Sequence, residues 1–86
     1  MHYVYMVLCG DGSLYCGWTT NVEKRLTTHN AGKGARYTRA RLPVTLVLTQ
    51  SFDDKGDALR RERTIKRMAR SAKLELIAEA GAAHGT

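Results

Sequence analysis

Residues 3–19 have the sequence YVYMVLCGDGSLYCGWT, and this stretch decides the fold. Two segments, 3–9 and 14–19, are rich in β-branched and aromatic residues, and the turn-forming residues at 10–13 separate them. The stretch therefore predicts a β-hairpin. Because side chains alternate across a sheet, the loop length decides which residues share a face. A two-residue turn at 11–12 would place Tyr5 and Tyr15 on opposite faces. A three-residue loop at 11–13 would place both on one face, and the sequence allows either.

The rest of the chain alternates helical and extended patterns. Beyond the hairpin we expect a helix at 21–30, a loop at 32–43, a strand at 44–50, a helix from 53 or 54 to about 70, and a helix at 72–80. Thr20 and Glu23 have the spacing of a capping box, and Gly32 is typical of a helix end. This order, β-β-α-β-α-α, predicts an α/β (α+β) protein with one domain over residues 1–80. Residues 81–86 are small and polar, and we expect them to form a disordered tail.

Composition and charge narrow the classes of function. The chain has 86 residues, and no apolar run approaches the roughly 18–20 residues that a membrane-spanning helix needs. The N-terminus lacks the features of a secretory signal, and two cysteines are too few for a disulfide framework or a structural zinc site. We therefore expect a cytoplasmic protein with reduced thiols and no membrane contact. The net charge of +6 favours a polyanionic partner, most often nucleic acid.

The helix expected to begin at 53 or 54 carries a carboxylate on its apolar side. Ala58 and Ile65 define that side, and Glu62 falls between them at helical spacing. Burying a lone carboxylate is costly unless it is paired or binds a metal ion. Two interpretations therefore remain open, a salt bridge such as one to Arg25, or a metal site.

Five polar side chains are expected around the sheet, and together they suit one kind of chemistry. They are Tyr5 and Tyr15 on the strands, Arg25 and His29 on the inner side of the first helix, and Glu62 on the second helix. Each of them alone has an ordinary explanation as a packed or hydrogen-bonded residue. Together they could hydrolyse a phosphodiester. The carboxylate can bind a hard cation such as Mg²⁺, the cation and the guanidinium offset charge on the phosphate, and His or Tyr orients or deprotonates a water molecule.

Two tripeptides in the hairpin resemble a known pair of motifs. Val4-Tyr5-Met6 and Tyr15-Cys16-Gly17 are similar to the paired motif that names the GIY-YIG nuclease superfamily. The similarity continues in order through Thr19, Asn21, Arg25, His29, Asn30, Gly32, Gly34, Ala35, Tyr37, Thr38, Pro43, Ala58, Glu62, Ile65 and Lys66. It covers residues 3 to about 77, and it is greatest for the small bacterial single-domain members of the superfamily.

The resemblance implies a three-stranded antiparallel sheet flanked by helices. Tyr5 and Tyr15 match the tyrosines of the first and second motifs. Gly17 matches the glycine of the second motif, where a side chain would crowd the site. Because the superfamily places both tyrosines on one face, the resemblance favours the three-residue hairpin loop.

The resemblance also implies a metal-dependent nuclease site. Arg25 matches the phosphate-binding arginine, and His29 matches a position that acts with Tyr15 in activating water. Glu62 matches the single metal-binding carboxylate, so one Mg²⁺ or Mn²⁺ ion is expected rather than a pair.

The leading hypothesis is therefore a metal-dependent endonuclease, with DNA favoured over RNA as substrate. The expected nucleic-acid contacts are Lys33, Arg36, Tyr37, Arg39 and Arg41 in the loop, and Arg63 and Lys66 on the second helix. Two alternatives have other classes of function. One is a noncatalytic nucleic-acid-binding module that retains the fold, and the other is a small interaction subunit of a larger nuclease or repair protein. A protein partner that supplies targeting is compatible with the leading hypothesis as well.

Overall fold

Three strands and four helices make up the fold in a computed structural model, which describes the backbone of residues 1–84 and the side chains of residues 1–81. In chain order they are β1 (His2–Leu8), β2 (Leu14–Thr19), α1 (Val22–Asn30), α2 (Arg36–Arg39), β3 (Thr45–Phe52), α3 (Lys55–Lys66) and α4 (Arg70–His84). The expected order of strands and longer helices is confirmed. The short helix α2 lies inside the segment that we expected to be a loop. None of the described helices is both long and apolar enough to cross a membrane.

The sheet is antiparallel, as expected, with strand order β2-β1-β3. The central strand β1 pairs with β2 so that Tyr5 lies opposite Gly17, and it pairs with β3 so that Tyr5 lies opposite Thr49. The register between β1 and β3 shifts between Met6 and Val7. Both β2 and β3 are edge strands, so side chains from the two faces can approach each other around the open edge of β2.

The hairpin loop has three residues, but they are 10–12 rather than the expected 11–13. Leu8 pairs with Leu14, and the Cys9 N–H donates a hydrogen bond to the Ser13 carbonyl at 2.8 Å. Gly12 has a φ of 87°, the left-handed conformation that three-residue hairpin loops use. A shift of both loop ends by one residue leaves the face assignment unchanged. Tyr5 and Tyr15 therefore lie on one face, as the three-residue loop predicts.

Each face of the sheet has its own buried cluster. One face packs against α3 and consists of Val4, Met6, Cys16, Leu48, Ala58 and Ile65, with Leu76 and Ile77 from α4 at its border. The other face lies under α1 and consists of Tyr5, Val7, Cys9 and Val44, with Tyr15, Leu26, Leu42 and Leu46 at its border. The alternation of side chains along β1 therefore separates an apolar face from one that contains phenols.

Several helix boundaries differ from those expected. The N-cap of α1 is Asn21 rather than Thr20, because the Asn21 side chain accepts the Lys24 N–H at 3.1 Å. The end of α1 near Gly32 is confirmed, and this glycine has a φ of 77°. Helix α3 ends at Lys66 instead of about residue 70, so Ala69 lies between α3 and α4 and is exposed.

The last helix is longer than expected at both ends. It begins at Arg70 and continues through His84, so residues 81–84 of the expected tail are helical. The alanines at 82 and 83 have the highest intrinsic helix propensity, which accounts for the continuation past Gly81. Residues 85–86 lie outside the described part of the chain.

Candidate active site

Tyr5 lies at the centre of the phenol-bearing face, and the absence of a side chain on its neighbour Gly17 makes room for its ring. A Cβ atom on Gly17, the residue paired with Tyr5, would lie 2.7 Å from the phenol oxygen. That distance is far inside van der Waals contact, so any other residue at position 17 would displace the phenol. The requirement for glycine that the resemblance implied therefore has a direct steric cause.

A chain of hydrogen bonds runs from Tyr5 through His29 into α2. The Tyr5 hydroxyl lies 2.8 Å from His29 Nε2, and His29 Nδ1 lies 2.8 Å from Thr38 Oγ1. The Thr38 hydroxyl donates its one proton to the Ala35 carbonyl at 2.9 Å, so it accepts from His29 Nδ1–H. In the neutral imidazole the other nitrogen is then the acceptor, and Tyr5 donates to it. Arg25 Nε donates to the Tyr5 oxygen at 3.4 Å and completes the chain.

Burial keeps this chain of hydrogen bonds neutral apart from the guanidinium at its end. Burial, assisted by the nearby charge of Arg25, lowers the pKa of His29, so the ring is uncharged near pH 7. Burial raises the pKa of Tyr5, against the opposing effect of Arg25, so the phenol keeps its proton. The hydrogen bond from Arg25 to Tyr5 raises the pKa of Arg25.

His29 lies behind the phenols rather than at the surface. Its side chain is fully buried, and both ring nitrogens are engaged by Tyr5 and Thr38. The resemblance implied that His29 acts with Tyr15 in activating water, and this role stays a prediction. The observed contacts of His29 are hydrogen bonds to Tyr5 and Thr38 and an edge-on contact with the Tyr15 ring.

Two residues that hold His29 in place were not singled out as site residues by the sequence. Thr38 is fully buried and fixes the His29 tautomer. Gly34 is required because a Cβ atom there would overlap His29 Nδ1. Both belong to the Gly-Ala-Arg-Tyr-Thr segment at 34–38, and the available signal was that the family resemblance includes Gly34 and Thr38.

Tyr15 lies beside this network with its ring held on two sides. The Tyr37 ring stacks on it, with centroids 6.0 Å apart and an angle of 23° between the planes. The His29 ring meets it edge-on, with centroids 5.5 Å apart and an angle of 67°. Arg41 lies over the Tyr37 ring at 3.9 Å. Tyr37 and Arg41, both expected to contact nucleic acid, are therefore part of the packing around Tyr15.

Glu62 approaches from the other face of the sheet. It lies on α3 with 17% of its side chain exposed, and its ion-pair partner is Lys66 at 3.6 Å. The alternative partner, Arg25, contacts Tyr5 instead. Burial, and secondarily the Glu62 charge, raises the pKa of the Cys16 thiol on β2 to about 11. The structure therefore groups four of the five expected residues on one face and places Glu62 across the β2 edge from them.

A groove at the open edge of β2 connects the two sides. Its volume is about 230 Å³, and it is lined by Leu14, Tyr15, Cys16, Tyr37, Lys66 and Lys73. Tyr15 reaches this groove from the phenol face, and Lys66, the partner of Glu62, reaches it from α3. Lys73 on α4 is a further cation here that the sequence did not single out. Lys33, Arg36, Arg39 and Arg63 are exposed, as expected for groups that bind phosphates.

The residues present fit a single hard cation held by one carboxylate. Among the described side chains, those of residues 1–81, no group of three or more His, Cys, Asp or Glu residues could hold a metal ion on its own. Mg²⁺ in substrate-dependent sites keeps several waters and needs only one or two carboxylates together with substrate phosphates. Glu62, with one flexible lysine as its ion-pair partner, can supply that carboxylate.

Comparison with known proteins agrees with this geometry. The family model described as the GIY-YIG catalytic domain matches residues 1–75, and the chain belongs to this family. The family is one of nucleases, which typically depend on a divalent metal ion.

Relatives of similar length share about half of the sequence. The UPF0213 protein SH2523 of Staphylococcus haemolyticus is 58% identical over 78 residues, which are 91% of this chain and 95% of the relative. The UPF0213 protein VNG_2274C of Halobacterium salinarum is 55% identical over 77 residues, 90% of this chain and 100% of the relative. The solution NMR structure of the UPF0213 protein BH0048 from Bacillus halodurans is 46% identical, with a TM-score of 0.63 over 93% of this chain and 85% of that chain.

Proposed function

We propose that this protein is a metal-dependent endonuclease that hydrolyses phosphodiester bonds, with DNA favoured over RNA. The observation that carries the proposal is the β2-edge groove, where Tyr15 from one face and Lys66, the partner of Glu62, from the other line a single depression. The groove is flanked by exposed cations of α2 and α3, which suit a polyanion. We also propose that the protein works in the cytoplasm, where the thiols of Cys9 and Cys16 stay reduced.

The roles of the residues follow from their positions. Tyr15 hydrogen-bonds a water molecule at the groove and orients it for in-line attack on phosphorus. Arg25 contacts Tyr5 through Nε and lies within hydrogen-bonding reach of Tyr15 as well, so its guanidinium can bind a nonbridging phosphate oxygen beside both phenols. Tyr5 and His29 hold Arg25 and Tyr15 in place from behind. Glu62 is the residue that would hold Mg²⁺ or Mn²⁺, and the bound ion would supply Lewis-acid stabilisation of the charge that develops on the phosphate.

The covalent change is a simple hydrolysis. The water oxygen forms a bond to phosphorus while the bond from phosphorus to the leaving oxygen breaks. One product carries a terminal phosphate and the other a free hydroxyl, and solvent balances the protons. Contacts from lysine and arginine to phosphates give affinity without reading bases, so we expect little sequence preference.

The test is cleavage of labelled single-stranded, duplex and branched DNA and RNA with Mg²⁺ or Mn²⁺. Wild type is compared with Glu62→Gln and with Glu75→Gln, which removes an exposed carboxylate of α4. We expect cutting by wild type and Glu75→Gln and a loss of at least about 100-fold in Glu62→Gln, because that variant lacks the metal-binding carboxylate. Equal cutting by all three proteins would show that Glu62 is not the metal ligand.

The noncatalytic nucleic-acid-binding module remains the second candidate, because exposed cations flank the groove independently of Glu62. It predicts salt-sensitive binding without cutting, and binding that does not require Glu62. Cutting that requires an added protein would instead point to a partner that supplies targeting.

A further inference from the structure

We propose that Tyr37, Arg41 and Asp11 are positioning residues that hold Tyr15 in place, rather than contacts to nucleic acid. We name these three residues the brace. The proposal rests on the proposed function, because Tyr15 matters only if it acts at the groove. The brace connects three segments of the chain, namely the hairpin loop, α2 and the residues that follow α2.

The first part of the brace is the stack of rings on Tyr15. Tyr37 covers Tyr15 in a nearly parallel arrangement, with centroids 6.0 Å apart. This separation lies within the range of about 4.5–7 Å in which aromatic pairs attract each other. His29 meets Tyr15 edge-on and is itself fixed at both nitrogens. The Tyr15 ring therefore contacts a fixed imidazole and Tyr37. Tyr37 is 39% exposed whereas His29 is fully buried, so of these two neighbours Tyr37 is the one with room to move away.

The second part of the brace limits that movement of Tyr37. The Arg41 guanidinium lies 3.9 Å from the Tyr37 ring centre, and its Nη1 donates to the Tyr37 carbonyl at 2.8 Å. Arg41 thus contacts both the ring and the backbone of Tyr37. A guanidinium over a ring face is attracted by the electrons of the ring.

The third part of the brace fixes Arg41 to the hairpin loop. Arg41 Nε donates to Asp11 Oδ2 at 3.1 Å, and the Gly10 N–H donates to the Arg41 carbonyl at 2.6 Å. A Cβ atom on Gly10 would lie 2.5 Å from the Leu42 carbonyl oxygen, so the loop and the segment after α2 are in the closest possible contact. The loop also carries the start of β2, which bears Tyr15.

These contacts distinguish Arg41 from Arg36 and Arg39, the nearby arginines on α2. Its guanidinium is engaged by a carboxylate, a carbonyl and a ring, whereas Arg36 and Arg39 on α2 are exposed. If Arg41 bound phosphate, its loss would resemble the loss of Arg39. If it positions Tyr15, the two losses would affect different kinetic parameters.

The kinetic test measures kcat and KM on the substrate that wild type cleaves best. Arg41→Gln is compared with its control Arg39→Gln, and Tyr37→Leu is compared with its control Tyr37→Phe. We expect Tyr37→Leu to lower kcat about 10- to 100-fold, because small displacements of a reacting group are costly. Arg41→Gln should lower kcat about fivefold. KM should change less than about twofold in both. Arg39→Gln should instead raise KM, and Tyr37→Phe, which keeps the ring, should retain kcat. A rise in KM with unchanged kcat for Arg41→Gln would overturn the proposal.

A second test needs no activity, so it separates failure of the brace from failure of the proposed function. The Tyr15 ring resonances are assigned in ¹³C-tyrosine-labelled protein with the help of Tyr15→Phe. Asp11→Asn should shift these resonances or speed the ring flip of Tyr15, and Asp57→Asn, which breaks an exposed ion pair with Arg60, should not. In the Tyr37→Leu background Asp11→Asn should have no further effect, because the link to Tyr15 is gone. Equal effects of Asp11→Asn with and without the Tyr37 ring would refute the brace even if wild type cuts nucleic acid.

Discussion

The two faces of the sheet are built on different principles. The interface between α3 and the sheet buries side chains such as Val4, Met6 and Ile65, which form no side-chain hydrogen bonds and pack by shape and volume alone. The interface between the sheet and helices α1 and α2 buries His29 and Thr38, whose polar atoms each require a particular hydrogen-bond partner. Apolar packing tolerates small adjustments, whereas a buried hydrogen-bond chain fails when one member is lost. The apolar face therefore supplies stability, and the polar face supplies a fixed geometry for the phenols.

The largest expected effect comes from breaking the apolar face. Ile65→Ala removes a fully buried side chain from the cluster between α3 and the sheet. We expect the free energy of unfolding to fall by about 3–4 kcal/mol, from lost burial and the cavity that remains. Leu74→Ala, at a side chain that is 44% exposed on α4, should cost less than about 1 kcal/mol. Urea denaturation measures both, and similar costs for the two variants would contradict this account of the core.

The next largest loss of stability comes from adding a side chain at Gly34, beside the buried His29 ring. Gly34→Ala places a methyl group against the His29 ring, and the ring has no alternative position while both nitrogens are bonded. We expect a loss of about 2–3 kcal/mol in the free energy of unfolding. Gly81→Ala is the control, because a Cβ there meets no atom of the described residues within 4 Å and the residue is helical. It should be neutral or should stabilise by up to about 1 kcal/mol.

A smaller effect comes from removing one hydrogen-bond partner without changing the shape. Thr38→Val leaves the His29 Nδ1–H buried without an acceptor, which we expect to cost about 1–2 kcal/mol in unfolding free energy. Thr38→Ser keeps the hydroxyl and should restore the hydrogen bond, as the Nδ1 proton resonance in NMR would show. A Thr38→Val protein with wild-type stability and an unchanged His29 resonance would mean that Thr38 does not fix the tautomer.

The lowered pKa of His29 sets the sign of the pH dependence of the unfolding free energy. Because the folded pKa is below the unfolded value of about 6.5, the unfolded state binds the proton first as the pH falls. The stability of wild type should therefore decrease as the pH drops below about 6.5, with a slope of at most about 1.4 kcal/mol per pH unit from this group. His29→Gln should lose this part of the pH dependence. A wild type that becomes more stable between pH 7 and pH 5 would contradict the buried, neutral imidazole.

The two faces also differ in how far the sequence predicts them. Strand-forming residues and turn residues predicted the strands, and helical spacing predicted the inward position of Ile65, because those patterns reflect the average environment of a side chain. They did not predict Thr38 or Gly34 as partners of His29, because a hydrogen bond between residues nine apart depends on how α2 folds back. The family resemblance brought Tyr5, Tyr15, Arg25 and His29 together correctly on one face. It did not reveal that His29 is fully enclosed, since enclosure comes from a helix that the sequence predicted as loop.

The smallest expected effect concerns the place where the two faces meet. Lys73 from α4 and Tyr15 from the phenol-bearing face line the same groove at the β2 edge, so nucleic acid bound there would contact both sides of the sheet. Lys73→Gln should reduce the slope of log affinity against log salt by about 0.7 for single strands and about 0.9 for duplex, the value for one lost phosphate contact. Lys55→Gln is the matched control, because Lys55 lies over Trp18 near the far end of β2. Fluorescence anisotropy without a divalent ion measures binding apart from cleavage. If the slope of log affinity against log salt is the same for Lys73→Gln and wild type, nucleic acid contacts one face only and its phosphates do not pass through the groove.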